Sequence, residues 1–309
     1  MYLRRPTRFR SDKFGDDKFC DDKLGTVRQD LAGRVVLLTG ATSGVGRAAA
    51  AGLAGRGAML TIVGRDQART EATAAALRCE TGNSEIDCLI GDLSVRSGMT
   101  GVVAGFLGRR DRLDVLVNNA GAYFSRRVAT ADGIETTFAL NHLAYFALAT
   151  GLAGLLRNTP GARVVSTSSS AYALGRLDLE RVATRVDGPG YLAYCDSKLA
   201  NVVFTRELAR RLAPFEVTAN CLHPGFTRSH LFQSKGGPFA YVAGSPLAGL
   251  VARAPERAAD TVLWLATSPE AASRTGEYFV NRRARKVNRQ ARDPHLAEGL
   301  WALSERLLA

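Results

Sequence analysis

Arg34-Val35-Val36-Leu37-Leu38-Thr39-Gly40-Ala41-Thr42-Ser43-Gly44-Val45-Gly46, followed by an alanine-rich run to Leu53, is the stretch whose reading decides the fold. A continuous β-branched and Leu run is the pattern of a parallel strand buried on both faces. The glycines break it, and the alanine-rich pattern after them predicts a helix. The order is therefore strand, glycine loop, helix. The first N–H groups of such a helix have no backbone partner and attract an anion. Gly40, Gly44 and Gly46 suit anion binding, since one permits the tight turn, another the close approach of backbone to a pyrophosphate, and the third a helix packed near the strand.

Working outward from this unit, the pattern repeats. A second strand is predicted at Ala58–Val63 and a helix at about Asp66–Arg78, then a strand at Ile86–Ile90 that closes with Gly91-Asp92-Leu93. A helix (Val95–Leu107) leads to Leu113–Val117, which runs into Asn118-Asn119-Ala120-Gly121. One long helix is expected over about Glu135–Leu156, then the strand Arg163–Thr167 ending in Ser168-Ser169-Ser170 and a helix at about Tyr191–Leu212. A sixth strand is placed at Phe215–Cys221 before His223-Pro224-Gly225, and the helix Pro255–Thr267 and strand Glu277–Val280 complete the set. Strands alternating with helices imply an α/β, doubly wound parallel sheet of Rossmann type with helices on both faces and right-handed crossovers. The polar and glycine motifs follow strand carboxyl ends or open the next helix, which is where open α/β sheets bind ligands.

Composition bounds the rest. The 309 residues, 46% hydrophobic and 23% charged, fit a single globular domain with appendages. No apolar run approaches a membrane span and the basic N-terminus lacks a signal peptide's apolar core, so a cytoplasmic protein is expected. Five cysteines (Cys20, Cys79, Cys88, Cys195, Cys221) without a CxxC pair, and four histidines without an HxxxH pair, offer no metal-ligand spacing. The net charge of +12 is mostly arginine spread along the whole chain, which fits a phosphate-bearing cofactor better than nucleic acid. Residues 1–31 carry a five-residue tandem repeat around Phe14, Phe19 and Leu24, and that period buries no single face of a helix or strand. A disordered arm is expected there, with the dinucleotide-binding domain over 32–281 and a basic linker plus amphipathic helix over 282–309.

The motifs now assembled resemble the short-chain dehydrogenase/reductase family over about residues 33–280. They are Thr39–Gly46 as TGxxxGxG, Asn118–Gly121 as NNAG, the serines after the fifth strand, Tyr194 and Lys198 as YxxxK, and Pro224-Gly225, all in the family's order. Tyr194-Cys195-Asp196-Ser197-Lys198-Leu199-Ala200-Asn201 is most similar to the retinol-dehydrogenase-like branch. The resemblance implies an oxidoreductase that exchanges a carbonyl and an alcohol, with Asn141, Ser169, Tyr194 and Lys198 as catalytic residues. It implies a cofactor held by Gly40, Thr42, Ser43, Gly44, Val45, Gly46, Arg65, Asp92, Leu93, Asn119, Ala120, Gly121, Tyr194, Lys198, Pro224, Gly225, Thr227 and Ser229. It also implies a dimer or tetramer formed through the long helices. A nucleotide-sugar epimerase would share YxxxK but has a TGxxGxxG loop and a larger C-terminal domain. A cofactor sensor with little activity is a further alternative, and the retained Ser, Tyr, Lys and Asn argue against it.

The chemistry follows from the residue types. A carbonyl that receives hydride needs a proton, and a tyrosine of ordinary pKa near 10 is a poor acid/base. Lys198 shares Tyr194's helix face, and an ammonium nearby favours the phenolate. Ser169 is the expected hydroxyl on the substrate oxygen, with a one-residue slip within the serine run left open. The resemblance implies that Asn141 shapes its helix and holds a water that connects the lysine to solvent; His142 packs or lies at the surface, and Cys195 points away from Tyr194. After the second strand, Gly64 occupies the place of the family's NAD-selecting acid and Arg65 follows it, which reads as NADP. Asp66 keeps NAD as the runner-up, its other role being a helix cap. A substrate lid over 226–252, rich in Phe, Leu and Val, predicts a lipophilic ketone, aldehyde or alcohol. Leu296, Leu300, Leu303 and Leu307 make one apolar stripe that packs on the body or a sister subunit.

Overall fold

Strand β1 (Val35–Thr39) is buried at every residue, with Val35 and Leu37 packed into one core layer and Val36 and Leu38 into the other. It lies in a computed structural model that describes residues 30–225 and 254–309. The N-terminal arm up to residue 29, the lid, Thr227 and Ser229 lie outside the described residues.

The chain continues through α1 (Gly44–Ala54), β2 (Met59–Gly64), α2 (Gln67–Thr81), β3 (Ile86–Ile90), α3 (Arg96–Leu107) and β4 (Val115–Asn118). Next come α4 (Thr136–Phe138), a π-helical turn (Ala139–Leu143), α5 (Ala144–Gly151), α6 (Ala153–Arg157), β5 (Arg163–Thr167), α7 (Gly190–Leu212) and β6 (Thr218–His223). After residue 254 follow α8 (Pro255–Thr267), β7 (Tyr278–Val280), β8 (Arg283–Arg285) and α9 (Pro294–Leu308). The eight strands form one sheet in the order β3-β2-β1-β4-β5-β6-β7-β8. All neighbours are parallel except β7 and β8. The strand order reverses at β1 and β4, so the crevice beyond their carboxyl ends is the topological switch point. One core layer lies under α3, α5 and α7, with α9 laid over α7, and the other lies under α1, α2 and α8.

Three elements differ from the sequence reading. The long helix expected over Glu135–Leu156 is broken, because the backbone widens into a π turn at Ala139–Leu143 and is interrupted again at Leu152. Strand β6 starts at Thr218 rather than at Phe215, since Ala213–Phe215 forms a 3-10 turn and Glu216 adopts a left-handed backbone with φ 56°. The basic segment after residue 281 is exposed, as expected, but is not a linker throughout. Asn281 and Arg282, at φ 53° and 59°, make a two-residue hairpin turn that returns Arg283–Arg285 as an antiparallel edge strand. Of the two places left open for His142, the structure takes the packed one: it is fully buried, with its ring 4.9 Å from that of Phe138 and 5.7 Å from that of Phe204.

The C-terminal stripe packs on the body of the same chain. Leu300, Trp301 and Leu303 are buried, Trp301 lies against Phe146 and Phe204, and the Arg211 guanidinium sits 3.9 Å over the indole. Among the described residues no helix is long and apolar enough to cross a membrane.

Candidate active site

At the carboxyl ends of β1 and β4 the backbone is pinned by Thr39, whose hydroxyl accepts from the N–H groups of Asn119 (3.0 Å) and Ala120 (2.9 Å). In return the Asn119 amide donates to the carbonyls of Thr39 (3.1 Å) and Gly40 (3.3 Å). This crossing leaves no room for side chains. A Cβ on Gly46 would stand 2.1 Å from the Gly40 carbonyl oxygen, and one on Gly40, whose φ is +72°, would stand 2.7 Å from Ala120 Cα. Helix α1 begins directly beyond it with no acid in its first turn and no side-chain bond from its cap residue Ser43. Its first N–H groups therefore face the cleft with no acid of their own turn beside them, a cradle suited to a phosphate group.

The cleft has a volume of about 680 Å³. Gly40, Thr42, Ser43, Gly44, Val45, Gly46, Arg65, Asp92, Leu93, Asn119, Ala120, Gly121, Ser169, Tyr194, Lys198, Pro224 and Gly225 all border it. Sequence reasoning missed Arg69, which also lines the cleft and reaches the Thr42 carbonyl at 3.4 Å. The signal was present, since Arg69 lies four residues after Arg65, in the first turn of the helix that follows it. Asp66 does not border the cleft; its carboxylate caps α2 by accepting from the Arg69 N–H at 2.8 Å. Gly64 admits no acid without rearrangement, because a Cβ there would meet the Thr70 hydroxyl oxygen at 2.1 Å.

At the other end of the cleft, α7 presents Tyr194 and Lys198. Ser169 is the serine hydrogen-bonded to the Tyr194 hydroxyl, whereas Ser168 donates to the Lys198 carbonyl at 2.8 Å and Ser170 opens a 3-10 turn. Burial pushes the Tyr194 phenol up to about 12, outweighing the Ser169 hydrogen bond that pulls it down. Burial also pushes the Lys198 ammonium down to about 7. The expected lowering of Tyr194 by Lys198 is therefore not the dominant effect in this structure. Lys198 Nζ donates to the Thr167 carbonyl at 3.1 Å and stands 5.6 Å from the Tyr194 ring centre.

Asn141 lies behind this wall rather than on it. Its side chain accepts from the Ala122 N–H (2.8 Å) and donates to the Ala122 carbonyl (3.0 Å) and the Ser197 hydroxyl (3.0 Å), joining the π turn to the loop after β4 and to α7. Around Tyr194 the cleft is lined by Tyr123, Phe124, Leu140, Leu174 and Tyr191, with the Tyr123 ring edge-on to Tyr194 at 6.1 Å. Cys195 is buried, and burial raises its thiol above the usual range.

The sequence profile of the short chain dehydrogenase family matches residues 34–237. Retinol dehydrogenase 14 of Mus musculus is 37% identical over 287 residues, covering 88% of this chain and 85% of that protein. Among solved structures, an uncharacterised protein of Mycobacterium paratuberculosis superposes with a TM-score of 0.70 at 30% identity, covering 90% of this chain and 94% of the other. The NADP active-site complex of Pseudomonas aeruginosa RhlG superposes with a TM-score of 0.65 at 26% identity, covering 82% and 97%.

Proposed function

Because the chain belongs to the short-chain dehydrogenase family and is an oxidoreductase of alcohols and carbonyls, we propose that it acts on a lipophilic small molecule with NADP(H) and Tyr194 as acid/base. The observation that carries this reading is the single cleft that joins the glycine cradle and two arginines at one end to Ser169, Tyr194 and Lys198 at the other. The cradle, closed to any Cβ at Gly40 and Gly46, fits a pyrophosphate. Arg65 and Arg69 fit a 2′-phosphate, and Asp66, which caps α2, does not border the cleft. The NADP carried by RhlG, a structural relative, supports the same choice.

When bound, the dinucleotide supplies the hydride in reduction and accepts it in oxidation. Tyr194, with its phenol pushed up to about 12, holds its proton at neutral pH and gives it to the carbonyl oxygen. The Ser169 hydroxyl, already paired with Tyr194, donates to the same oxygen and stabilises the charge that develops on it. Lys198 places a positive charge beside the phenolate left behind, and Asn141 holds the loop and helix that frame the pair. The aromatic and Leu lining around Tyr194 excludes water and favours an apolar substrate.

A homologous series of neutral aldehydes and ketones, followed by loss of NADPH absorbance, tests the substrate class. Catalytic efficiency rises with chain length, each buried methylene adding up to about 0.8 kcal/mol, or about fourfold. A preference for small carboxylated ketones would contradict it.

A further inference from the structure

Asn201 lies one helical turn beyond Lys198 on α7 and is fully buried. Its Nδ2 amide donates to two backbone carbonyls, that of Asn141 in the π turn at 2.9 Å and that of Thr167 at the end of β5 at 3.3 Å. The Thr167 carbonyl is the one that accepts from Lys198 Nζ. One amide group therefore ties together a helix, a strand end and the acceptor of the lysine. With both Nδ2 hydrogens committed, Oδ1 is left to accept, and it faces the ring of His142, the other polar side chain at this point. Ser304 gives its hydroxyl hydrogen to the Leu300 carbonyl at 2.8 Å, so His142 Nε2, 3.0 Å from that hydroxyl, donates to it and carries the ring proton.

We propose that Asn201 is a positioning residue of the reaction: by clamping the carbonyls of Asn141 and Thr167 it fixes the place of the Lys198 ammonium and the strength of its hydrogen bond. The inference rests on the proposed function and extends it to a side chain that does not border the cleft. Two donors share the Thr167 carbonyl, and each weakens the hold of the other. Removing the amide donors leaves that carbonyl to Lys198 alone, which favours the ammonium and raises its pKa. The other groups facing Lys198 are the rings of Tyr194 on α7 and Tyr145 on α5, at 5.6 and 5.9 Å, and burial accounts for the lowered value of the lysine. No carboxylate among the described residues offsets the change.

Two variants test the role. Asn201→Leu removes both donors, whereas Asn201→Asp keeps the volume and loses the donors. Lysine-selective nitrogen NMR on the nucleotide-free protein follows Lys198, whose ammonium burial pushes down to about 7. Its midpoint is expected to rise by about half a unit to one unit in either folded variant. In parallel, kcat falls about 10- to 100-fold through misplacement of the lysine, with KM for the carbonyl unchanged. Should Asn201→Leu fail to fold, Asn201→Asp decides. An unshifted Lys198 titration with wild-type kcat in a folded variant overturns the positioning role. Absence of NADPH-linked turnover in the wild type contradicts the proposed function instead, which the titration reads independently.

Discussion

At the scale of single residues, cofactor choice rests on what stands at the end of β2. Arg65 and Arg69 border the cleft while Asp66 is turned to the backbone of α2. Arg65→Ala is accordingly expected to weaken NADPH about tenfold or more relative to NADH, because a charge-assisted contact to the 2′-phosphate exists only in the former. Dissociation constants for both nucleotides, measured on wild type and variant, check this. An unchanged ratio would return the choice to NAD and Asp66. Arg65 was legible in the sequence because it follows the strand directly, and Asp66 was legible only as one of two roles, since spacing alone does not say which way a carboxylate turns. Ser169 was separable from its serine neighbours only by geometry: the hydroxyl paired with Tyr194 is a three-dimensional fact.

At the scale of elements, the π turn at Ala139–Leu143 and helix α9 are joined through His142. Burial pushes His142 down from 6.5 to about 3, and the Asn201 side chain opposes this only in part. The unfolded chain takes up a proton on this residue as pH falls below 6.5, while the folded chain refuses it until about 3. His142 therefore removes stability progressively as pH falls through that window. His142→Gln, which carries no titrating group, should lose less thermal stability than the wild type between neutral pH and about pH 4. Parallel losses in the two proteins would contradict this account. The break in the expected long helix was not legible, since every residue of Ala139–Leu143 is compatible with an α-helix. The wider turn is braced by tertiary bonds instead, from Asn201 to the Asn141 carbonyl and from Asn141 to Ala122 and Ser197. Strand β8 was hidden for a related reason. Its hairpin turn uses Asn281-Arg282 where an Asn-Gly pair would have announced it.

For the whole molecule, the alternation of strands and helices in a parallel sheet and the placement of motifs at strand carboxyl ends were readable because both follow from local patterns. Continuous apolar runs mark strands buried on two faces, and glycine or polar clusters mark the ends where the backbone turns. The two core layers, one under α3, α5 and α7 and the other under α1, α2 and α8, hold those ends in register so that residues from Gly40 to Gly225 meet in one cleft. What the chain does as a whole depends on whether that cleft uses Tyr194 as its acid/base. A single-turnover measurement of NADPH oxidation with a lipophilic aldehyde, comparing wild type with Tyr194→Phe, tests this most directly. The account predicts that the variant binds NADPH nearly as well as the wild type, because the substitution removes a proton donor and little cofactor contact, yet shows no hydride transfer. Near-native turnover by Tyr194→Phe would contradict it.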